Sequence, residues 1–217
     1  MSVTVIKCSG AVAASAAAQI RALAVEEQVC VVHGAGPQIS AEMERRGLPV
    51  RFVGGRRVTD AAALEVVAES LLAVNEALCL ALGPQAIGLV GVLDAVQVPG
   101  LGLVGEPVAT APESVVSALA SGRLPVVAPL AHGLNVNADD AAAALAVALG
   151  AEKLLFVTDV PGLLMEDVVV SSIGADEADR LLGEGAFDGG IVPKLMAAVR
   201  AVRGGVPAHI GVTAVLP

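Results

Sequence analysis

Apolar positions in this chain follow two rhythms. Short continuous runs of Val, Leu and Ile cover residues 3–7, 29–33, 86–90, 124–128, 153–158 and 206–210, and such runs without polar alternation predict strands buried on both faces. Longer Ala- and Leu-rich stretches recur at helical spacing over residues 13–25, 38–46, 61–82, 113–120, 139–149, 175–182 and 193–203. Strands alternating with helices predict an α/β fold: a three-layer αβα sandwich around a mostly parallel open sheet. Residues 51–58 place Gly54-Gly55 between Arg51-Phe52-Val53 and Arg56-Arg57-Val58, the signal of a tight hairpin. Asp139 stands at the start of one predicted helix, and Gly204-Gly205 follow Arg200 and Arg203 as the stop of another. The turn at His132-Gly133 marks a soft boundary inside a single domain spanning 1–217.

Composition narrows the partners. The 217 residues carry a net charge of -9, no Trp, no Tyr and 3 Phe, which removes the cationic footprint and the stacking surfaces that nucleic-acid binding uses. Mean hydropathy is high at +0.77. The longest uncharged run, residues 77–93, still falls short of the ~20 apolar residues of a membrane span and is broken by Gly83-Pro84-Gln85. An N-terminal apolar run containing Lys7 and lacking a cleavage pattern argues against a signal peptide. The 3 cysteines form no C-x-x-C pair and read as reduced thiols of a cytoplasmic protein.

Ligands of open parallel sheets gather at the carboxyl ends of strands. There the chain places Lys7-Cys8-Ser9-Gly10 and His33-Gly34-Ala35-Gly36-Pro37, small residues that let backbone N–H groups approach an anion. By contrast Gly100-Leu101-Gly102-Leu103-Val104-Gly105 satisfies G-x-G-x-x-G but runs into Glu106-Pro107 instead of a helix, so it predicts no dinucleotide site. Of the 13 basic residues only Lys7, Lys153 and Lys194 are lysines. Lys194 opens a helix, where a cation opposes the macrodipole by ~0.3–1 kcal/mol; donation to a phosphoryl group is one explanation, a solvated side chain another. Asn135-Val136-Asn137-Ala138-Asp139-Asp140 reads either as a capping run or as an Asn donor plus a carboxylate that orients lysines. Arg45, Arg46, Arg51, Arg56 and Arg57 form the one basic concentration, from which a hairpin arginine could clamp a carboxylate.

Taken in order, these segments resemble the amino-acid kinase family, in particular its branch that phosphorylates N-acetyl-L-glutamate. The resemblance rests on Val5 to Gly10, Val31 to Ile39, Phe52 to Asp60, Asn135 to Asp139, Gly150 to Gly162 and Gly189 to Lys194. It implies that Lys7 and Lys194 stabilise the transferring phosphoryl group, that Asp139 orients them, and that Gly10 adds a backbone donor. Ala35 and Gly36 would meet the acylated amino acid through the main chain, and Arg57 and Asn135 would hold its carboxylates. Asp159, Gly162, Leu164 and Gly190 would border the nucleotide.

The implied reaction moves the γ-phosphoryl of ATP, with Mg2+ held mainly through the nucleotide phosphates, to the acceptor's side-chain carboxylate for arginine synthesis. The implied lobes are 1–133 for the amino acid and dimerisation and 134–217 for the nucleotide. Because the sequence begins at its first strand, the resemblance also implies an arginine-insensitive homodimer. The chain departs from the family pattern in carrying Ser9 and Ala35 where glycines are usual, and it reads as ending without a final strand. Two alternatives stay open: a kinase for carrier-bound α-aminoadipate in lysine biosynthesis, and a catalytically silent amino-acid-binding relative.

Overall fold

A computed structural model describes residues 2–9, 13–158, 160–165 and 168–217. In chain order the elements are β1 (Val3–Cys8), α1 (Ala13–Glu26), β2 (Gln28–His33), α2 (Gly36–Arg45), the hairpin β3 (Phe52–Val53) and β4 (Arg56–Arg57), and α3 (Ala61–Leu82). They continue with β5 (Ala86–Leu89), β6 (Ala95–Gln97), β7 (Val104–Pro107), α4 (Glu113–Ala120), β8 (Leu124–Val127), β9 (Leu130–Ala131), β10 (Leu134–Val136) and α5 (Ala138–Ala148). The remainder holds β11 (Lys153–Val157), the hairpin β12 (Leu164–Met165) and β13 (Val168–Val169), β14 (Ser172–Gly174), α6 (Ala175–Gly183), α7 (Ile191–Arg203), β15 (Ala208–Ile210) and β16 (Thr213–Leu216).

The 8-stranded sheet runs β14-β16-β15-β11-β1-β2-β8-β5, and every neighbouring pair is parallel except β15 with β16. Side chains alternate across a strand, and β1 shows what this does. Val5 packs with Leu145 of α5 and Leu195 of α7 on one face. Ile6 and Cys8 pack with Ile20 of α1 and Leu78 of α3 on the other. Helices therefore cover both faces, and the sheet is a buried middle layer. The chain ends in a strand after all: β16 folds back on β15 with Ile210 opposite Thr213. Its 4 residues lie beyond a turn at Gly211, and the run is too short to stand out by periodicity.

A second sheet, β6-β7-β10-β9, lies beside the first, and here the G-x-G-x-x-G run finds its use. Gly102 has φ 77 and lies so close to the Thr59 carbonyl that an added Cβ would sit 2.2 Å from its oxygen. These glycines serve a backbone crossing and not a nucleotide. In the β3–β4 hairpin Gly54 and Gly55 both have positive φ, 55 and 76, as a two-residue loop matched to strand twist requires.

Candidate active site

The order of the large sheet reverses direction about β1, and a cleft of about 440 Å³ opens at the carboxyl ends of β1 and β2. Lys7 continues the face of β1 that carries Val5, so its side chain runs toward α5. Lys7 Nζ lies 2.7 Å from Asp139 Oδ1, with both side chains under one-tenth exposed. Asp139 is placed by a cap two residues earlier than the sequence suggests. The N-cap of α5 is Asn137, whose Oδ1 accepts from the N–H of Asp139 and of Asp140 at 2.8 and 3.1 Å.

Lys194 stands in the first turn of α7, partly exposed, and its Nζ donates to the Gly190 carbonyl at 2.9 Å. Both lysines line the same cleft. Two helix N-termini border it as well. Neither α2, beginning at Gly36, nor α7, beginning at Ile191, has an acidic residue in its first turn or a side-chain cap. Their unsatisfied N–H groups favour an anion in front of them. Ser9 Oγ, buried beside Lys7 on the cleft lining, has no hydrogen-bond partner among the described residues.

Arg57 forms the opposite wall. It is 6% exposed, its guanidinium donates to the Gly36 carbonyl at 3.1 Å and Ser40 Oγ at 2.8 Å, and it stacks 4.6 Å from the centre of the Phe52 ring. Burial pushes its pKa below the ordinary arginine value. Among the described residues no carboxylate pairs with it, so a buried cation faces the cleft uncompensated. Asn135, on β10, donates from Nδ2 to Thr59 Oγ1 at 3.0 Å, and Thr59 Oγ1 donates to the Arg57 carbonyl at 2.7 Å. This chain of bonds fixes Asn135 and Arg57 relative to each other.

Lys7, Lys194, Asp139, Ala35, Gly36, Arg57, Asn135 and Gly190 thus line one cleft. Gly162 and Leu164 do not. Gly162 is packed so tightly that an added Cβ would lie 2.7 Å from Thr213 Oγ1, and Leu164 is exposed on β12. Gly10 and Asp159 fall outside the described residues. Ala35 has φ -141, and His132 is the one non-glycine with positive φ among the described residues. Neither Ser9 nor Ala35 therefore occupies a conformation that demands glycine. His33, adjoining the Gly34 loop, is wholly buried; Asn75 Nδ2 donates to its Nε2 at 3.0 Å, and burial lowers its pKa to about 4. Burial also raises the Cys8 thiol to about 11, leaving an unreactive core residue beside the site.

The sequence placed Ser9 in an anion-facing loop and Asn137 in a capping run without fixing the role of either, and left Phe52, the plate under Arg57, unmarked.

A glycine-lined anion cradle, two lysines and an unpaired buried arginine on this sheet order agree with the match of residues 2–211 to the amino acid kinase family model. The chain belongs to the amino acid kinase family. The acetylglutamate kinase of Rubrobacter xylanophilus is 48% identical over 196 residues, 84% of this chain and 77% of that protein. That of Frankia casuarinae is 44% identical over 84% of this chain. The chain spans 57% of the Frankia protein's length, so it is shorter than several relatives it matches. Among solved structures, a protein of Streptococcus mutans UA159 superposes with TM-score 0.87 at 30% identity, covering 99% of this chain and 98% of its own. N-acetylglutamate synthase from Neisseria gonorrhoeae, complexed with coenzyme A and N-acetyl-glutamate, shares the fold, with TM-score 0.85 at 21% identity over 100% of this chain and 59% of its own.

Proposed function

We propose that this member of the amino acid kinase family transfers the γ-phosphoryl group of ATP to the side-chain carboxylate of N-acetyl-L-glutamate, giving an acyl phosphate for arginine synthesis. The observation that carries the reading is the convergence of Lys7, Lys194 and the uncompensated Arg57 on one cleft. The name borne by the 48% identical Rubrobacter protein supports the choice of acceptor.

In this reading an ionised acceptor oxygen attacks the γ-phosphorus, the bond from that phosphorus to the bridging oxygen breaks, and ADP leaves with the electron pair. No general base is needed. Lys7 and Lys194 neutralise charge on the transferring oxygens, and Ser9 Oγ offers them a further donor. Asp139 aims Lys7. Arg57 and Asn135 take the acceptor's carboxylates, and the backbone at Ala35 and Gly36 closes on the rest of it. Gly190, on the cleft lining, borders the nucleotide, with residues 1–133 serving the acceptor and dimerisation and 134–217 the nucleotide.

The one carboxylate on the cleft lining, Asp139, is engaged by Lys7, and among the described residues no cluster of acidic, His or Cys side chains could hold a metal. In this reading Mg2+ enters with the nucleotide, held mainly through its phosphates as MgATP. The same reading makes the protein a cytoplasmic homodimer, which light scattering and cell fractionation test. Incubation with MgATP, N-acetylglutamate and hydroxylamine traps the acyl phosphate as a hydroxamate. Acceptor-dependent hydroxamate supports the reading, whereas product only with carrier-bound α-aminoadipate, or ligand binding without product, overturns it.

A further inference from the structure

Beside the cleft, four charged side chains from four elements meet. Asp140, in the first turn of α5, is 7% exposed. Its two oxygens accept from Arg56 of β4 at 3.0 Å and from Arg200 of α7 at 2.6 Å. Glu106 of β7 pairs with the same Arg56 and, at 3.3 Å, with the same Arg200. The charges cancel two against two, so the cluster is not an anion site.

A neutral cluster of this kind, buried at Asp140 and half exposed at Glu106 and Arg200, contributes little net stability. What they supply is direction. Each element brought together here carries a member of the cleft: Arg57 follows Arg56, Asp139 precedes Asp140, and Lys194 lies on the same helix as Arg200. β7 itself pairs with β10 through Val104 and Asn135.

The β3–β4 hairpin needs such an anchor. Its strands have 2 residues each, and Phe52 and Val53 remain 53% and 49% exposed, so apolar burial cannot hold it. Beyond the bonds made by Arg57, a contact from Asn137 Nδ2 to the Gly55 carbonyl at 3.4 Å ties the hairpin to α5. We propose that the Arg56–Asp140–Arg200–Glu106 cluster, with Asp140 as its hub, is a positioning device that locks the β3–β4 hairpin onto α5 and α7 and acts through Arg57 on acceptor binding. The link to the acceptor rests on the function proposed above.

The test compares wild type with Arg56→Ala, Arg56→Lys and Arg57→Ala, and with the double Ala variant. Two readouts are taken: hydrogen exchange of amides 52–58 without ligand, and calorimetric affinity for N-acetylglutamate and for a non-hydrolysable ATP analogue. Arg56→Ala is expected to speed hairpin exchange and weaken acceptor binding about tenfold, the scale of coupling within one charge network. The nucleotide affinity stays put, Arg56→Lys restores part of the loss, and Arg56→Ala adds nothing once Arg57 is Ala. Unchanged exchange and acceptor affinity in folded Arg56→Ala, or full additivity in the double variant, overturns the proposal. Should Arg56→Ala fail to fold, Glu106→Gln, whose partner is half exposed, gives the same readouts in smaller measure. If wild type itself does not bind N-acetylglutamate, the acceptor assignment falls, while the exchange data still decide whether the cluster holds the hairpin.

Discussion

Lys7 rises from the middle of a buried sheet and Lys194 from the opening turn of a helix, although both line one cleft. Lys7 is 4% exposed and fixed by Asp139 at 2.7 Å; Lys194 is partly exposed and leans on the carbonyl of Gly190. The first is buried with its counter-ion inside the fold, and the second is partly exposed in the first turn of a helix. The comparison teaches that two side chains proposed for one chemical role can rest on unequal structural footing, and substitutions should separate the two.

The largest effect is expected from Lys7→Ala, which strips a preorganised donor and leaves Asp139 buried without its cation. Turnover in the hydroxamate assay falls by ~10² to 10³, and urea unfolding shows a loss of about 3–5 kcal/mol. Asp139→Asn in the same background restores stability and not turnover. A Lys7→Ala protein as stable as wild type would break the contrast. Lys194→Ala sharpens it: a comparable fall in turnover, ~10² to 10³, with unfolding within about 0.5 kcal/mol of wild type, as for other substitutions of partly exposed side chains.

Arg57→Ala comes next. Loss of a charge-assisted contact worth about 1.5–3 kcal/mol raises the acceptor KM on the order of 10- to 100-fold, and the ATP KM moves little. A uniform loss in both would place Arg57 outside the acceptor's half of the cleft.

The smallest effect concerns pH and supplies a purely structural reference for Lys7. His33 is neutral in the fold with its pKa lowered to about 4 from 6.5 by burial. The unfolded chain therefore binds the proton first as pH falls. The stability is present in full above about pH 6.5 and is lost progressively toward pH 4, up to about 3 kcal/mol in all. Urea titrations across that range should show this component in wild type and not in His33→Gln.

Six strands of the eight-stranded sheet, β1, β2, β5, β8, β11 and β15, were legible as continuous apolar runs and the helices as long Ala and Leu repeats, whereas β14 and β16, of 3 and 4 residues, were not. The β3–β4 hairpin was legible through Gly54-Gly55, whereas β9, β12 and β13, of 2 residues each, fall below any periodic window. Their pairing is set by tertiary contact and by glycines such as Gly102. In the cleft, Lys7 and Lys194 drew notice through the scarcity of lysine, and Arg57 and Asn135 through family motifs. Asp140 did not, since its partners lie 84 and 60 residues away in sequence. Nothing local distinguishes it from a helix-capping acid. The α5 cap was misplaced for the same reason: Asn137 and Asp139 are both good caps, and only the backbone decides between them.

The central claim is that two ammonium groups distant in sequence meet on a single phosphoryl group. A crystal structure with ADP, N-acetylglutamate and a metal fluoride in place of the transferring phosphoryl tests it most directly. The account predicts Lys7 Nζ and Lys194 Nζ each within about 3 Å of the fluoride ligands, the reach of a charge-assisted hydrogen bond. Either nitrogen turned away from the fluoride, with the acceptor correctly seated, would contradict it.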